Sequence, residues 1–267
     1  MISMDVLSEI IARRRQRIEE AKQAVPLEDV RSDALAKRAN STPHAFRRAL
    51  QVDGINIIAE FKRRSPSKGV IRADADLPSI VSSYQAGGAV ALSVLTEEDY
   101  FDGSLSDLRA AKTHVDLPVL RKDFVIDEYQ VFEAAAAGAD AILLIVAALD
   151  DPQLDFLRRL AEDELRMDAL VEVHNSGEMD RAAGCGAKLL GVNNRNLRTF
   201  EVTLETSVKL ASLAPESAVL VSESGLKDTA DLRRLREHGF HGFLIGETLM
   251  RAPDPEIALR DLRNDAR

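Results

Sequence analysis

Apolar side chains at Val6, Leu7, Ile10, Ile11 and Ile18, with charged residues between them, predict an amphipathic helix over residues 5–22 that needs a partner surface. Pro26 ends it, and Thr42 followed by Pro43 reads as the N-cap and first helical position of a second helix reaching Leu50. From residue 55 the pattern changes. Short apolar, β-branched runs predict strands at residues 55–62, 89–96, 118–124, 141–149, 169–174, 189–195, 219–224 and 242–246. Helical periodicity fills the gaps at residues 77–86, 105–112, 128–136, 152–166, 176–183, 204–214 and 228–237, with Gly87, Gly138, Gly184 and Gly239 standing where helix-ending glycines belong. Strands alternating with helices imply parallel pairing through right-handed crossovers, and eight such units suit a closed barrel better than an open sheet. The expected fold is therefore α/β, a (β/α)8 TIM barrel over residues 51–267 with a helical extension over residues 1–50, together one structural domain.

Composition narrows the partners. The 267 residues are 45% hydrophobic and 30% charged, enough for one large core. With 35 Lys and Arg against 44 Asp and Glu, the net charge is −9, and the chain offers no bulk positive field for nucleic acid or an anionic membrane. The single Cys185 forms no intrachain disulfide, and the start of the chain lacks the apolar stretch of a signal peptide or membrane span, so a cytoplasmic protein is expected. Arg13, Arg14 and Arg15 precede Glu19 and Glu20 in a helical pattern and read as a solvated helix face. The histidines at 44, 114, 174, 238 and 241 have no metal-ligand spacing, and no Walker lysine motif or GxGxxG follows a strand, so neither metal nor nucleotide cofactor is expected.

In this architecture reactive side chains come from the C-terminal ends of strands. Side chains alternate along a strand, so Glu60 and Lys62 share one side, Lys122 shares a side with Leu120, and Glu172 with Leu170. Asn193 and Arg195 share a face at the end of the sixth run, and Glu223 ends the seventh. If the shared side is the barrel interior, these charges meet at its mouth, close enough to shift one another's pKa values and suited to acid and base chemistry; structural ion pairs are the competing reading. The sequences Glu223-Ser224-Gly225 and Ile245-Gly246-Glu247 end the last two strands, where barrels commonly hold a phosphate. Ser65-Pro66-Ser67-Lys68-Gly69 adds hydroxyls and a cation, and Lys62, Arg63, Arg64 and Lys68 form a local positive cluster that fits a small anion better than a polyanion.

The run Ile57-Ile58-Ala59-Glu60-Phe61-Lys62-Arg63-Arg64-Ser65-Pro66-Ser67 closely resembles the signature of the indole-3-glycerol-phosphate synthases. Further similar segments are Leu120-Arg121-Lys122-Asp123-Phe124, Leu170-Val171-Glu172-Val173-His174, Gly191-Val192-Asn193-Asn194-Arg195-Asn196-Leu197, Ser222-Glu223-Ser224-Gly225 and Leu244-Ile245-Gly246-Glu247. The resemblance runs along the whole chain, including the helical extension that this family carries before its barrel. It implies a cofactor-independent, carboxy-lyase step of tryptophan biosynthesis, in which 1-(2-carboxyphenylamino)-1-deoxyribulose 5-phosphate closes to indole-3-glycerol phosphate with loss of carbon dioxide and water. By the same resemblance Lys122 is the general acid, Lys62 binds the substrate carboxylate, and Glu172 and Glu60 are the candidates between which the acid and base of the dehydration divide. Asn193 and Arg195 then orient the substrate, Glu223 holds the lysine and hydroxyl network, and Ser65, Ser224, Gly225 and Gly246 place the phosphate. The chain is expected to act as a monomer on this small anionic substrate, in at most weak association with other enzymes of the tryptophan pathway. Two other readings compete: another phosphate-binding barrel enzyme, which would share the late glycines but not need two inward lysines with Glu60 and Glu172, and a non-catalytic phosphate-ligand sensor, which would leave the proton-transfer groups without a purpose.

Overall fold

A computed structural model describes residues 6–196 and 199–264. Asp5 of the first predicted helix and Leu197 of the family-like segment lie outside them.

Eight strands, β1 (Asn56–Phe61), β2 (Ala91–Leu95), β3 (Val119–Lys122), β4 (Ala141–Ile145), β5 (Asp168–Val173), β6 (Leu189–Asn193), β7 (Val219–Glu223) and β8 (Phe240–Ile245), pair in parallel and close into a barrel, β1 meeting both β2 and β8. Three helices precede the barrel: α1 (Val6–Ala24), α2 (Leu27–Ala39) and α3 (Ala45–Ala49). The crossovers carry α4 (Leu77–Gly87), α5 (Leu105–His114), α6 (Glu128–Ala136), α7 (Asp151–Arg159), α8 (Ser176–Gly184), α9 (Glu205–Ala211) and α10 (Thr229–Glu237). After β8 come α11 (Glu247–Arg251) and α12 (Pro255–Asn264), which the periodicity did not predict. Side-chain caps start most of the crossover helices: Asp76, Ser104, Asp127, Asp150, Asn175 and Asp228 each accept a hydrogen bond from a backbone N–H two or three residues on.

The period-2 alternation of the strands sorts their side chains into two cores. Ile58, Ala91, Leu120, Leu143, Leu170, Leu189, Val221 and Leu244 fill the barrel interior, while the opposite parity packs outward against the helices. Phe46 and Leu50, from α3 and its C-cap, belong to the interior cluster and close the barrel at the N-terminal ends of its strands. There the Arg47 backbone N–H donates to Asp168 at the start of β5, and the Asn56 amide at the start of β1 donates to the carbonyls of Leu50, Val52 and His241.

The structure departs from the sequence reading in the extension. Residues 27–39 form a helix the reading lacked, because its buried face consists of Val30, Ala34 and Arg38, too small an apolar stripe to register as a period. Thr42 and Pro43 do not start α3; the preceding position is His44, in the left-handed region at φ 51°, without a side-chain cap. Gly87 and Gly184 end helices while still helical, and the left-handed turn falls on Gly88 and Gly186. Among the described residues no helix is long and apolar enough to cross a membrane.

Candidate active site

Each functional side chain sits two residues beyond an interior apolar one or a glycine: Glu60 after Ile58, Lys122 after Leu120, Glu172 after Leu170, Asn193 after Gly191 and Glu223 after Val221. The alternation that packs the core therefore delivers the charges to the next layer up, at the C-terminal mouth. A cavity of about 1060 Å³ opens there, and all eleven residues singled out from the sequence line it: Glu60, Lys62, Ser65, Lys122, Glu172, Asn193, Arg195, Glu223, Ser224, Gly225 and Gly246.

Lys122 is the hub. Its Nζ donates to Glu172 Oε2 at 2.9 Å and to Glu223 Oε2 at 2.6 Å. Burial alone would lower the lysine's pKa, but Glu172, Glu223 and Glu60 together hold it well above the ordinary value, so it stands as a cation. The two carboxylates on it differ. Burial would raise Glu172, yet Lys122 and His174 hold it well below the usual range. Burial and the nearby Glu172 charge outweigh Lys122 at Glu223, which is pushed up to about 7. Two carboxylates on one lysine thus separate into an ionised group and a group able to carry a proton near neutrality. A second couple lies beside them, where Lys62 Nζ donates to Glu60 Oε1.

Two glycines make room for these carboxylates. A Cβ on Gly191 would collide with Glu223 Oε1, and one on Gly246 would collide with Glu60 Oε1. Gly191 escaped the sequence reading, although a glycine inside a strand signals a close approach.

The mouth has two chemically distinct sides. Around β2 to β4 its wall is apolar, with Leu95, Phe101, Phe124 and Leu143, the two phenyl rings 6.2 Å apart and tilted. Val6, Leu7 and Ile10 at the start of α1 cover this side. Opposite, around β7 and β8, the backbone carries Ser224 at φ 67° and Gly225 at φ 83°, with Gly246 at the end of β8. A serine in the left-handed region is strained, and the buried Asn194 amide holds the turn by donating to the carbonyls of Glu223 and Ser224. Ser65, Ser67 and Lys68 reach this side from a two-stranded ribbon (Arg64–Ser65 with Gly69–Val70) after β1. Of the predicted cation cluster only Lys62 and Lys68 line the cavity; Arg63 turns away into a bidentate pair with Asp107, at 2.7 and 2.9 Å, and Arg64 is exposed.

Arg14 corrects the reading of its arginine run. Arg13 and Arg15 are exposed, but Arg14 is buried and meets Glu98 and Asp123, each at 3.0 Å, on the loops after β2 and β3. The i, i+4, i+8 row Ile10, Arg14, Ile18 is the buried face of α1, and that spacing was the available signal. His174, read as an ordinary histidine, has Nε2 3.3 Å from Glu172 Oε1.

The family profile described as "Indole-3-glycerol phosphate synthase" matches residues 7–262. A protein of that name from Bacteroides thetaiotaomicron is 47% identical over 259 residues, covering 96% of this chain and 97% of its own. One from a Polaromonas species is 47% identical over 259 residues, covering 97% of this chain and 98% of its own. Among solved structures, 3-hexulose-6-phosphate synthase from Salmonella typhimurium superposes with a TM-score of 0.63 at 13% identity, over 78% of this chain and 96% of that one, a likeness of fold alone.

Proposed function

Because the chain belongs to the indole-3-glycerol phosphate synthase family, we propose that its mouth closes the indole ring of 1-(2-carboxyphenylamino)-1-deoxyribulose 5-phosphate, releasing carbon dioxide and water, as a carboxy-lyase that needs no cofactor. The observation that carries this reading is the protonated Lys122 held between Glu172 and Glu223 at the centre of the mouth.

The substrate's anthranilate ring lies on the apolar side under Val6, Leu7 and Ile10, and its phosphate lies at the Ser224, Gly225 and Gly246 backbone with Ser65 and Lys68 beside it. This stretches the substrate across the barrel and sets the ketone over Lys122. The ring carbon bearing the carboxylate attacks the ketone carbon, and Lys122 gives its proton to the oxygen that becomes a hydroxyl. Lys62, paired with Glu60, binds the carboxylate until the bond to carbon dioxide breaks and its electron pair restores the aromatic ring. In the last step the hydroxyl takes a proton and leaves as water while the methylene next to nitrogen gives up a proton. Glu172, kept ionised by Lys122, suits the base of that step, with Glu60 and its lysine on the other side as the acid. Asn193 and Arg195 orient the sugar chain, and Glu223 keeps Lys122 in place. The protein works as a monomer in the cytoplasm.

Product formation is directly readable, because the chain has no Trp and only 3 Tyr, so a newly formed indole stands out in fluorescence. Incubation with the substrate is expected to raise indole emission, and Lys122→Met is expected to fold, bind and lose at least about a hundredfold in turnover, the scale of general acid catalysis. Near-normal turnover in that variant would remove Lys122 from the acid role. No emission from the folded wild type would move the chain to another phosphate substrate.

A further inference from the structure

One partly buried titratable group beside the mouth has no part in the scheme above. His174 follows β5 directly, and its imidazole lies between two carboxylates, with Nε2 3.3 Å from Glu172 Oε1 and Nδ1 3.1 Å from Glu178 Oε2. Glu178 is fixed in turn. Its Oε2 accepts the His174 backbone N–H at 2.8 Å, and its Oε1 accepts the side-chain amide of Asn175 at 2.7 Å, the residue that caps α8. A carboxylate, imidazole, carboxylate chain therefore runs from the first turn of α8 to the mouth. His174 Nε2 is buried and makes no hydrogen bond, and its 3.3 Å approach to Glu172 Oε1 is an ion-pair contact.

We propose that His174 is a positioning residue for Glu172: Glu178 fixes the imidazole, and the imidazole fixes the Oε1 side of the carboxylate that Lys122 holds by Oε2. The inference rests on the synthase reading given above. Three partners then define the orientation of Glu172, since the Asn193 amide also donates to Oε1, at 3.2 Å. The charges facing this chain are Lys122 from β3, Glu223 from β7 and Glu178 from α8, with Glu60 from β1 acting on Lys122 and Glu223. Burial would push the imidazole down, but the two carboxylates flanking it push it up to about 10, so it carries its proton at neutral pH. A second cation on Glu172 keeps that group ionised, as a base must be, and stops it from following Lys122 when the lysine gives up its proton.

The test compares His174→Ala, His174→Gln and Glu178→Gln by kcat and KM across pH, with the wild-type imidazole titrated by NMR. His174→Ala is expected to lower kcat by about ten- to a hundredfold with KM little changed. Its acid limb moves to higher pH, because a carboxylate that has lost one of two cations protonates more readily. His174→Gln returns an N–H donor without charge, so part of kcat returns while the limb stays displaced. Glu178→Gln keeps the acceptor, loses the charge and displaces the limb less, in the same direction. Folded variants with an unmoved acid limb and only a lower melting temperature would overturn the proposal; where His174→Ala does not fold, the other two variants decide it. A wild-type imidazole that titrates at its ordinary value overturns it without any substrate. An imidazole that stays protonated through neutrality in a protein lacking synthase turnover supports the pairing and counts against the synthase reading instead.

Discussion

At the scale of the residue, the site is a consequence of alternation and of where a Cβ is absent. Placing a lysine or glutamate two positions beyond an interior leucine or isoleucine lifts it from the dry core into the mouth without changing the strand. Burial there is tolerable because each charge has a partner: Lys122 with Glu172 and Glu223, Lys62 with Glu60. The partners must also have room. Gly191→Ala would push the Glu223 carboxylate off its position, and Leu170 Cδ1, 3.2 Å from the added methyl, limits relaxation. The expected result is a loss of about tenfold or more in kcat, with about 1–3 kcal/mol of destabilisation from overpacking. Turnover beside chemical denaturation checks this, and a variant with full kcat would show that Glu223 does not need its present place.

At the scale of the element, α1 ties the apolar wall of the site to the barrel. Arg14 reaches Glu98 and Asp123, Arg17 pairs with Asp99, and Lys22 pairs with Asp127 at the start of α6. Asp123 adjoins Lys122 in sequence but points outward, where Arg14 and Arg121 hold its carboxyl below the usual range against the effect of burial. The same strand end thus presents its catalytic candidate inward and its anchor for α1 outward. Truncation of residues 1–23 should leave a folded barrel whose KM rises about tenfold, equivalent to roughly 1.4 kcal/mol of lost binding. Steady-state kinetics with a melting curve would test it, and an unchanged KM would mean that Val6, Leu7 and Ile10 do not contact the substrate.

At the scale of the whole molecule, the two ends of the barrel have separate work. Paired charges gather at the C-terminal mouth, whereas α3 closes the N-terminal end with Phe46 and Leu50, both fully buried in the interior cluster. The extension thereby spans the molecule: α1 covers the mouth, α2 packs on α6 along the flank, and α3 fills the floor. Leu50→Ala should cost about 2–5 kcal/mol of stability by opening a cavity among interior side chains. Below its melting temperature that variant should keep kcat and KM, since Leu50 lies beneath the layer that carries the charges. Denaturant unfolding and steady-state kinetics separate the two effects, and a change in KM without loss of stability would contradict this division of the barrel.

The amino-acid sequence by itself determined the barrel and the inward set of Glu60, Lys122, Glu172, Asn193 and Glu223, because a period of two and a strand–helix rhythm are local properties that each segment carries alone. It also marked Gly225 and Gly246 as lining the mouth beside the last two strands, since their places depend only on strand ends. Tertiary structure alone decided which carboxylate keeps its charge, since Glu172 and Glu223 differ by their surroundings and not by their residue type. It likewise turned Arg14 from a surface residue into a buried anchor and placed Phe46 inside the barrel, through contacts made more than eighty residues along the chain, such as Arg14 with Glu98 and Asp123. The physical reason is that a pKa and a desolvated ion pair belong to a set of distances, and only closure of the barrel sets those distances.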